Sequence, residues 1–143
     1  MFHISARTEY ACVAMLDLAR HFEQDDPVRI REIAGRHGIP SRFLVQILLQ
    51  LKAAGLVQSI RGAGGGYRLA RDPQEITLLD VMRVINAQPE KIAGNATSNS
   101  AVSEVLQGSW QRVSDAGTEL LEALTLGELA EKSGSHSIPM YYI

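Results

Sequence analysis

Apolar residues recur along this chain at helical spacing in separate runs, each closed by a residue that stops a helix. From Ser5 to Phe22, Tyr10, Val13, Ala14, Leu16, Leu18 and Phe22 mark a first helix, and Asp25-Asp26-Pro27 ends it. Val28 to His37 repeats the pattern with Ile30, Ile33 and Ala34, and Gly38 suits a left-handed cap. The third run, Ser41 to Ala54, puts Leu44, Ile47, Leu48 and Leu51 on one stripe at i, i+3, i+4 and i+7, with Gly55 as its stop.

The period then changes. Leu56 to Ile60 reads as a strand, Gly62-Ala63-Gly64-Gly65-Gly66 as a turn, and Tyr67-Arg68-Leu69 as the returning strand. Thr77-Leu78-Leu79-Asp80 resembles a capping box with Asp in place of Glu and opens a helix through Ile85. Pro89 to Ser100, rich in Ala, Gly, Asn and Ser, reads as a loop. Helical periodicity returns from Val102 to Leu124, and Thr125-Leu126-Gly127-Glu128 is a capping box for a short last helix. Three short helices with a glycine turn before the third, followed by a hairpin, predict a mainly α fold built on a winged helix-turn-helix. The winged unit should occupy residues 1–72, and residues 73–143 should supply a linker helix, a loop, a long helix and a tail.

Charge sharpens this picture once it is divided along the chain. The net charge of −2 conceals ten Lys/Arg against seven Asp/Glu in residues 1–72, net +3, and four against nine in residues 73–143, net −5. Between Arg29 and Arg71, eight basic residues face Glu32 alone. An ordinary solvated surface would mix the signs, so the segregation points to a localised face for a polyanion. The lone Cys12 excludes an intramolecular disulfide and a cysteine-based metal site within one chain. His3, His21, His37 and His136 have no ligand spacing, and no nucleophile, base and orienting group fall together, so neither a metal, a cofactor nor catalysis is expected. No apolar run approaches membrane length and the first residues lack a signal-peptide pattern, which predicts a cytoplasmic protein.

The third helix carries the candidate chemistry. Opposite its leucine stripe lie Arg42, Val45, Gln46 and Leu49, again at i, i+3, i+4 and i+7. In a major groove, Gln pairs bidentately with adenine, Arg with guanine, and Val touches a thymine methyl. Ser41 at the helix start could hold a phosphate with its hydroxyl and neighbouring N–H groups, and Lys52 adds charge at the other end. A solvated surface glutamine fits the spacing of Gln46 equally well. Arg61 sits where the hairpin turns, beside Gly62, and Arg68 lies on the returning strand. An arginine on such a tip can enter a narrow minor groove, although exposed arginines on a plain hairpin would look the same. A phosphate loop is excluded, because position 67 is Tyr and no Gly-Lys-Ser/Thr follows.

Arg61 to Leu69, preceded by Leu51-Lys52-Ala53-Ala54-Gly55-Leu56-Val57, resembles the IscR/NsrR/CymR-type family of bacterial winged-helix regulators. The likeness extends to Tyr10-Ala11, Ala14 to Asp17, Ile30 to Ala34, Phe43-Leu44 with Gln46, Ile76 to Leu78 with Asp80-Val81, and Thr125-Leu126 with Leu129. It implies a repressor of transcription that binds double-stranded DNA at a pseudopalindromic operator, as a homodimer clasped through the long C-terminal helix. Two departures matter. Many members carry three cysteines before the long helix and hold an iron–sulfur cluster there, whereas Pro89 to Trp110 contains none, so cluster sensing should be absent. Position 45, often Glu in the family, is Val, which cannot accept from cytosine N4 and should change the operator at that base. The end of the chain, Met140-Tyr141-Tyr142-Ile143, resembles the isoleucine-terminated tails of the cysteine-metabolism branch and of serine acetyltransferases, which dock into cysteine synthase. That likeness implies cysteine synthase as a partner. Packing of the tail on the protein's own dimer is the other reading, and a winged-helix module that contacts only proteins is the rival to DNA binding.

Overall fold

The computed structural model describes residues 4–24, 26–86 and 100–135. Most of the predicted loop, up to residue 99, and the tail Met140 to Ile143 lie outside the described residues. Helix α1 (Ala6–Arg20) starts at Ser5, whose Oγ accepts the Thr8 N–H at 3.1 Å. Helix α2 (Ile30–His37) ends at Gly38 with φ 64°, the left-handed cap expected there. Helix α3 (Ser41–Ala53) follows after three residues and buries Leu44, Ile47, Leu48 and Leu51, the stripe read from the sequence. Strands β1 (Val57–Ile60) and β2 (Gly66–Leu69) pair antiparallel in the register Val57↔Leu69 to Ile60↔Gly66.

Gly66 has a steric reason. A Cβ there would stand 2.6 Å from the Val28 carbonyl oxygen, and that closeness lets Tyr67 and Val28 exchange two backbone hydrogen bonds of 2.8 Å. The wing is thereby pinned to the start of α2. A short 3-10 turn (Pro73–Glu75), not expected from the sequence, leads into α4 (Leu78–Ile85). Both arms of the α4 capping box form: Asp80 N–H to Thr77 Oγ1 at 3.1 Å, and Thr77 N–H to Asp80 Oδ2 at 2.9 Å.

Helix α5 (Ala101–Ala123) gives way at Leu124 to α6 (Leu126–Ser135), where the Glu128 N–H reaches Thr125 Oγ1 at 3.1 Å. The junction returns to the body through the Leu126 N–H to the Ile76 carbonyl at 2.8 Å and the Leu78 N–H to the Leu124 carbonyl at 3.0 Å. Helix α6 then packs on α1. One core holds the whole, joining Met15, Leu18, Ile33, Leu48 and Leu69 to Ile76, Val81, Ile85 and Leu126. The fold is a winged helix with a long C-terminal helix. Among the described residues, no helix is long and apolar enough to cross a membrane.

Candidate nucleic-acid interface

Burial of the leucine stripe turns the other side of α3 outward. Ser41, Arg42, Val45, Gln46, Leu49 and Lys52 are all exposed, Leu49 by 54%. No side chain caps the first turn of α3, where the Phe43 and Leu44 N–H groups donate to the Pro40 carbonyl, and the helix start beside the exposed Ser41 hydroxyl suits a phosphate oxygen. Arg42 lies with its guanidinium carbon 5.0 Å from the centre of the Phe43 ring, and Tyr10 of α1 stands 6.5 Å from that ring, centre to centre. On the same flank, an Arg7 guanidinium N–H donates to Gln50 Oε1. Helical spacing assigns Tyr10 to the apolar positions of the first helix and gives Phe43 and Arg7 no part in the outward face. The signal available was an aromatic residue in the third helix that belongs to neither stripe.

The wing is held against α2 and α3 by polar contacts as well as by the Val28 bridge. Lys52 Nζ donates to Ser59 Oγ at 2.8 Å, linking the end of α3 to β1. Arg29 donates to the Ala63 carbonyl, linking the start of α2 to the tip. Arg61 and Gly62 are exposed there, and nothing crowds the position a Gly62 side chain would take, so the backbone is open to close approach. The structure therefore brings the third-helix residues, Lys52, Arg61 and Gly62 onto one connected unit. Arg68 lies on β2 opposite Gln58. It is half-buried at the base of the wing and lines a cleft with His21, Phe22 and Gln58.

Helix α5 presents a second exposed surface of different character. Ser103 is its one buried side chain, while Val102, Val105, Leu106, Trp110, Val113 and Leu120 are exposed. Leu106, Trp110, Val113 and Leu120 follow at steps of four, three and seven residues, the spacing of a seam between helices.

The profile of the Rrf2 family, described as an iron-dependent transcriptional regulator, matches residues 4–132. The regulator IscR of Photobacterium profundum is 35% identical over 137 residues, covering 94% of this chain and 79% of its own. That of Vibrio cholerae is 35% identical over 128 residues, covering 88% and 73%. Among solved structures, CymR, the global cysteine regulator of B. subtilis, superimposes with a TM-score of 0.80 at 33% identity, covering 92% of this chain and 98% of that one. IscR of T. potens gives 0.76 at 33% identity, covering 99% and 96%.

The residues present do not fit a cysteine-held iron–sulfur cluster. Cys12 is the single cysteine of the chain, and burial, helped by the charge of Glu9, pushes its thiol from 9.0 up to about 11. A cluster needs several thiolates, and this group stays a thiol at neutral pH. Among the described residues, no three His, Cys, Asp or Glu side chains are placed to share a metal ion. With the match over nearly its whole length and the winged-helix fold, the chain belongs to the Rrf2 family and is a DNA-binding regulator of transcription.

Proposed function

We propose that this regulator is a repressor that binds a pseudopalindromic duplex as a homodimer, with residues 1–72 reading DNA and residues 73–143 joining the protomers. The observation that carries the reading is the division of α3, whose leucine stripe is buried while Arg42, Val45, Gln46 and Leu49 stand exposed. Gln46 pairs with an adenine, Val45 and Leu49 meet apolar base edges, and Arg42 meets a guanine or a phosphate. Ser41 and Lys52 hold the phosphate backbone, Arg61 enters the minor groove beside the open Gly62, and Arg68 adds charge at the base of the wing. The exposed apolar seam of α5 supports pairing with a second copy, because a contiguous apolar stripe of this kind is uncommon on a solitary soluble chain.

The test is selection of duplexes from a randomised pool by the purified protein, followed by a salt titration. A palindromic consensus, and affinity that falls steeply with salt as counterions are released, are expected. Failure to enrich any sequence would leave a protein-interaction module. The likeness to the B. subtilis cysteine regulator supports control of sulfur metabolism from the cytoplasm, with Met140, Tyr141, Tyr142 and Ile143 docking into cysteine synthase. A synthetic peptide ending in these four residues should bind that enzyme and be displaced by O-acetylserine. Binding that ignores deletion of Ile143 would assign the tail to the protein's own dimer.

A further inference from the structure

Asp17, on α1, is the one charged side chain buried among the described residues, at 5% exposure. Its Oδ2 accepts from Arg36 Nη2 at 3.0 Å, Arg36 Nε at 3.3 Å and His37 Nε2 at 3.1 Å. An ionised carboxylate only accepts, so His37 donates here from Nε2. His21, one turn along α1, places Nδ1 3.4 Å from Oδ1 and 2.8 Å from the Asp17 carbonyl oxygen. Glu32 stands 4.0 Å from the far side of the Arg36 guanidinium. A buried carboxylate is costly unless paired, and this one pairs through Oδ2 with the last two residues of α2 and through Oδ1 with His21.

The location of that pairing matters more than its strength. Helix α2 has eight residues, of which Ile33 is fully buried and Ile30 and Ala34 pack against the core only in part, so its ends depend on other ties. At its start it is tied to the wing, by the Val28–Tyr67 bridge and by Arg29 on the Ala63 carbonyl. At its end it is tied to Asp17, and three residues later α3 begins with Ser41 and Arg42. Any shift of the α2 terminus is carried through the short Gly38–Pro40 link into the first turn of the helix that faces DNA.

We propose that Asp17 is a positioning residue for DNA recognition: its carboxylate, shared by Arg36 and His37, sets the angle at which α3 leaves α2. This rests on the DNA reading above. Specific binding needs base-edge geometry and is sensitive to that angle, whereas non-specific binding is governed by charge and is not. The affinity ratio between the two reads the angle directly.

The experiment uses the full chain, a duplex selected by the wild-type protein from a randomised pool, and a scrambled duplex of the same composition. Asp17→Asn, which keeps the shape and removes the charge, should lower affinity for the selected duplex roughly tenfold or more and for the scrambled one by less than about twofold. His37→Gln keeps a donor near the Nε2 position and should retain most of the affinity, whereas His37→Ala should lose several-fold on the selected duplex alone. Equal loss on both duplexes, or no loss on either, overturns the proposal. If Asp17→Asn does not fold, the half-exposed His37 carries the same comparison, and equal behaviour of its Gln and Ala variants overturns it. A wild-type protein that selects no duplex overturns the DNA reading and this inference together; a selected duplex bound equally by Asp17→Asn overturns this inference alone.

Discussion

Helices α3 and α5 both leave apolar side chains in the open, and the residues beside them differ. On α3, Val45 and Leu49 alternate with Arg42 and Gln46, so the exposed face offers donors, an acceptor and methyl groups within two turns. On α5, Val102, Val105, Leu106, Trp110, Val113 and Leu120 follow one another, with the charged Asp115, Glu119 and Glu122 set to one side. A mixed face suits base edges, which carry a pattern of polar groups and one methyl. A continuous apolar face suits another protein surface, where burial is rewarded and unpaired donors are costly. Exposure alone therefore does not name the partner; the polar residues between the apolar ones do.

The largest expected effect comes from placing a charge in the α5 seam. Leu106 is half exposed in the single chain, so Leu106→Glu should leave the fold intact while burying an unpaired carboxylate in the pair. Sedimentation should show a particle of one 15.6 kDa chain where the wild type gives two. Loss of the second half-site should weaken binding of a palindromic duplex by about 10²–10⁴-fold. A variant that stays paired and binds normally would remove the distinction between the two faces.

The two sides of α3 can be separated by neighbouring leucines. Leu48 is fully buried and Leu49 is not. Leu48→Ala should cost about 2–5 kcal/mol in urea unfolding, and Leu49→Ala less than about 0.5 kcal/mol. Only the second should weaken duplex binding in a protein of unchanged stability. Equal costs would mean that the stripe is not what fixes which side faces DNA.

Much of this was legible because the signals were local. The leucine stripe, the Gly38 cap and the Thr77–Asp80 box each depend on residues within two turns of one another, and each forms as the pattern predicts. The outward set Arg42, Val45, Gln46 and Leu49 followed from the same period. What escaped depends on contacts far apart in the chain. Asp17 meets Arg36 and His37 across 19 and 20 residues, and nothing in a helical period foretells it. The return of α6 onto α1, and the backbone bonds between Ile76 to Leu78 and Leu124 to Leu126, are likewise tertiary. Arg68 shows the limit at short range. Hairpin alternation assigns it a side but cannot tell that the end of α1, with His21 and Phe22, comes up beside it.

Smaller effects should divide groove from wing. Gln46→Ala should relax preference at one base pair by about 1–3 kcal/mol and leave the salt dependence unchanged. Arg61→Ala should weaken binding most on operators with a narrow A·T-rich minor groove and lower the salt slope by about one. Competition assays with single-base variants, repeated at several salt concentrations, distinguish the two. Equal losses on specific and random DNA for Gln46→Ala would leave it a solvated glutamine.

The smallest effect concerns the one thiol, which lies on neither face. Cys12 sits on α1, partly buried, with its thiol raised to about 11 chiefly by loss of solvent. A thiol raised in the folded state binds its proton more tightly there than in the unfolded chain. Its stabilising contribution is therefore complete below the unfolded value of about 8.5–9 and is lost as pH climbs toward the folded value. Melting temperature should be insensitive to this group from neutral pH up to that range, then decline toward pH 11, and Cys12→Ala should remove that part of the decline. At neutral pH, iodoacetamide should modify the folded protein far more slowly than the urea-unfolded chain, because the thiolate is the nucleophile. A single protonated thiol supplies no cluster, so the purified protein should be colourless, and neither chelators nor oxygen should change its affinity for the selected duplex. Visible absorbance with stoichiometric iron would overturn this, and would require ligands other than cysteine, since the stretch from Pro89 to Trp110 carries none.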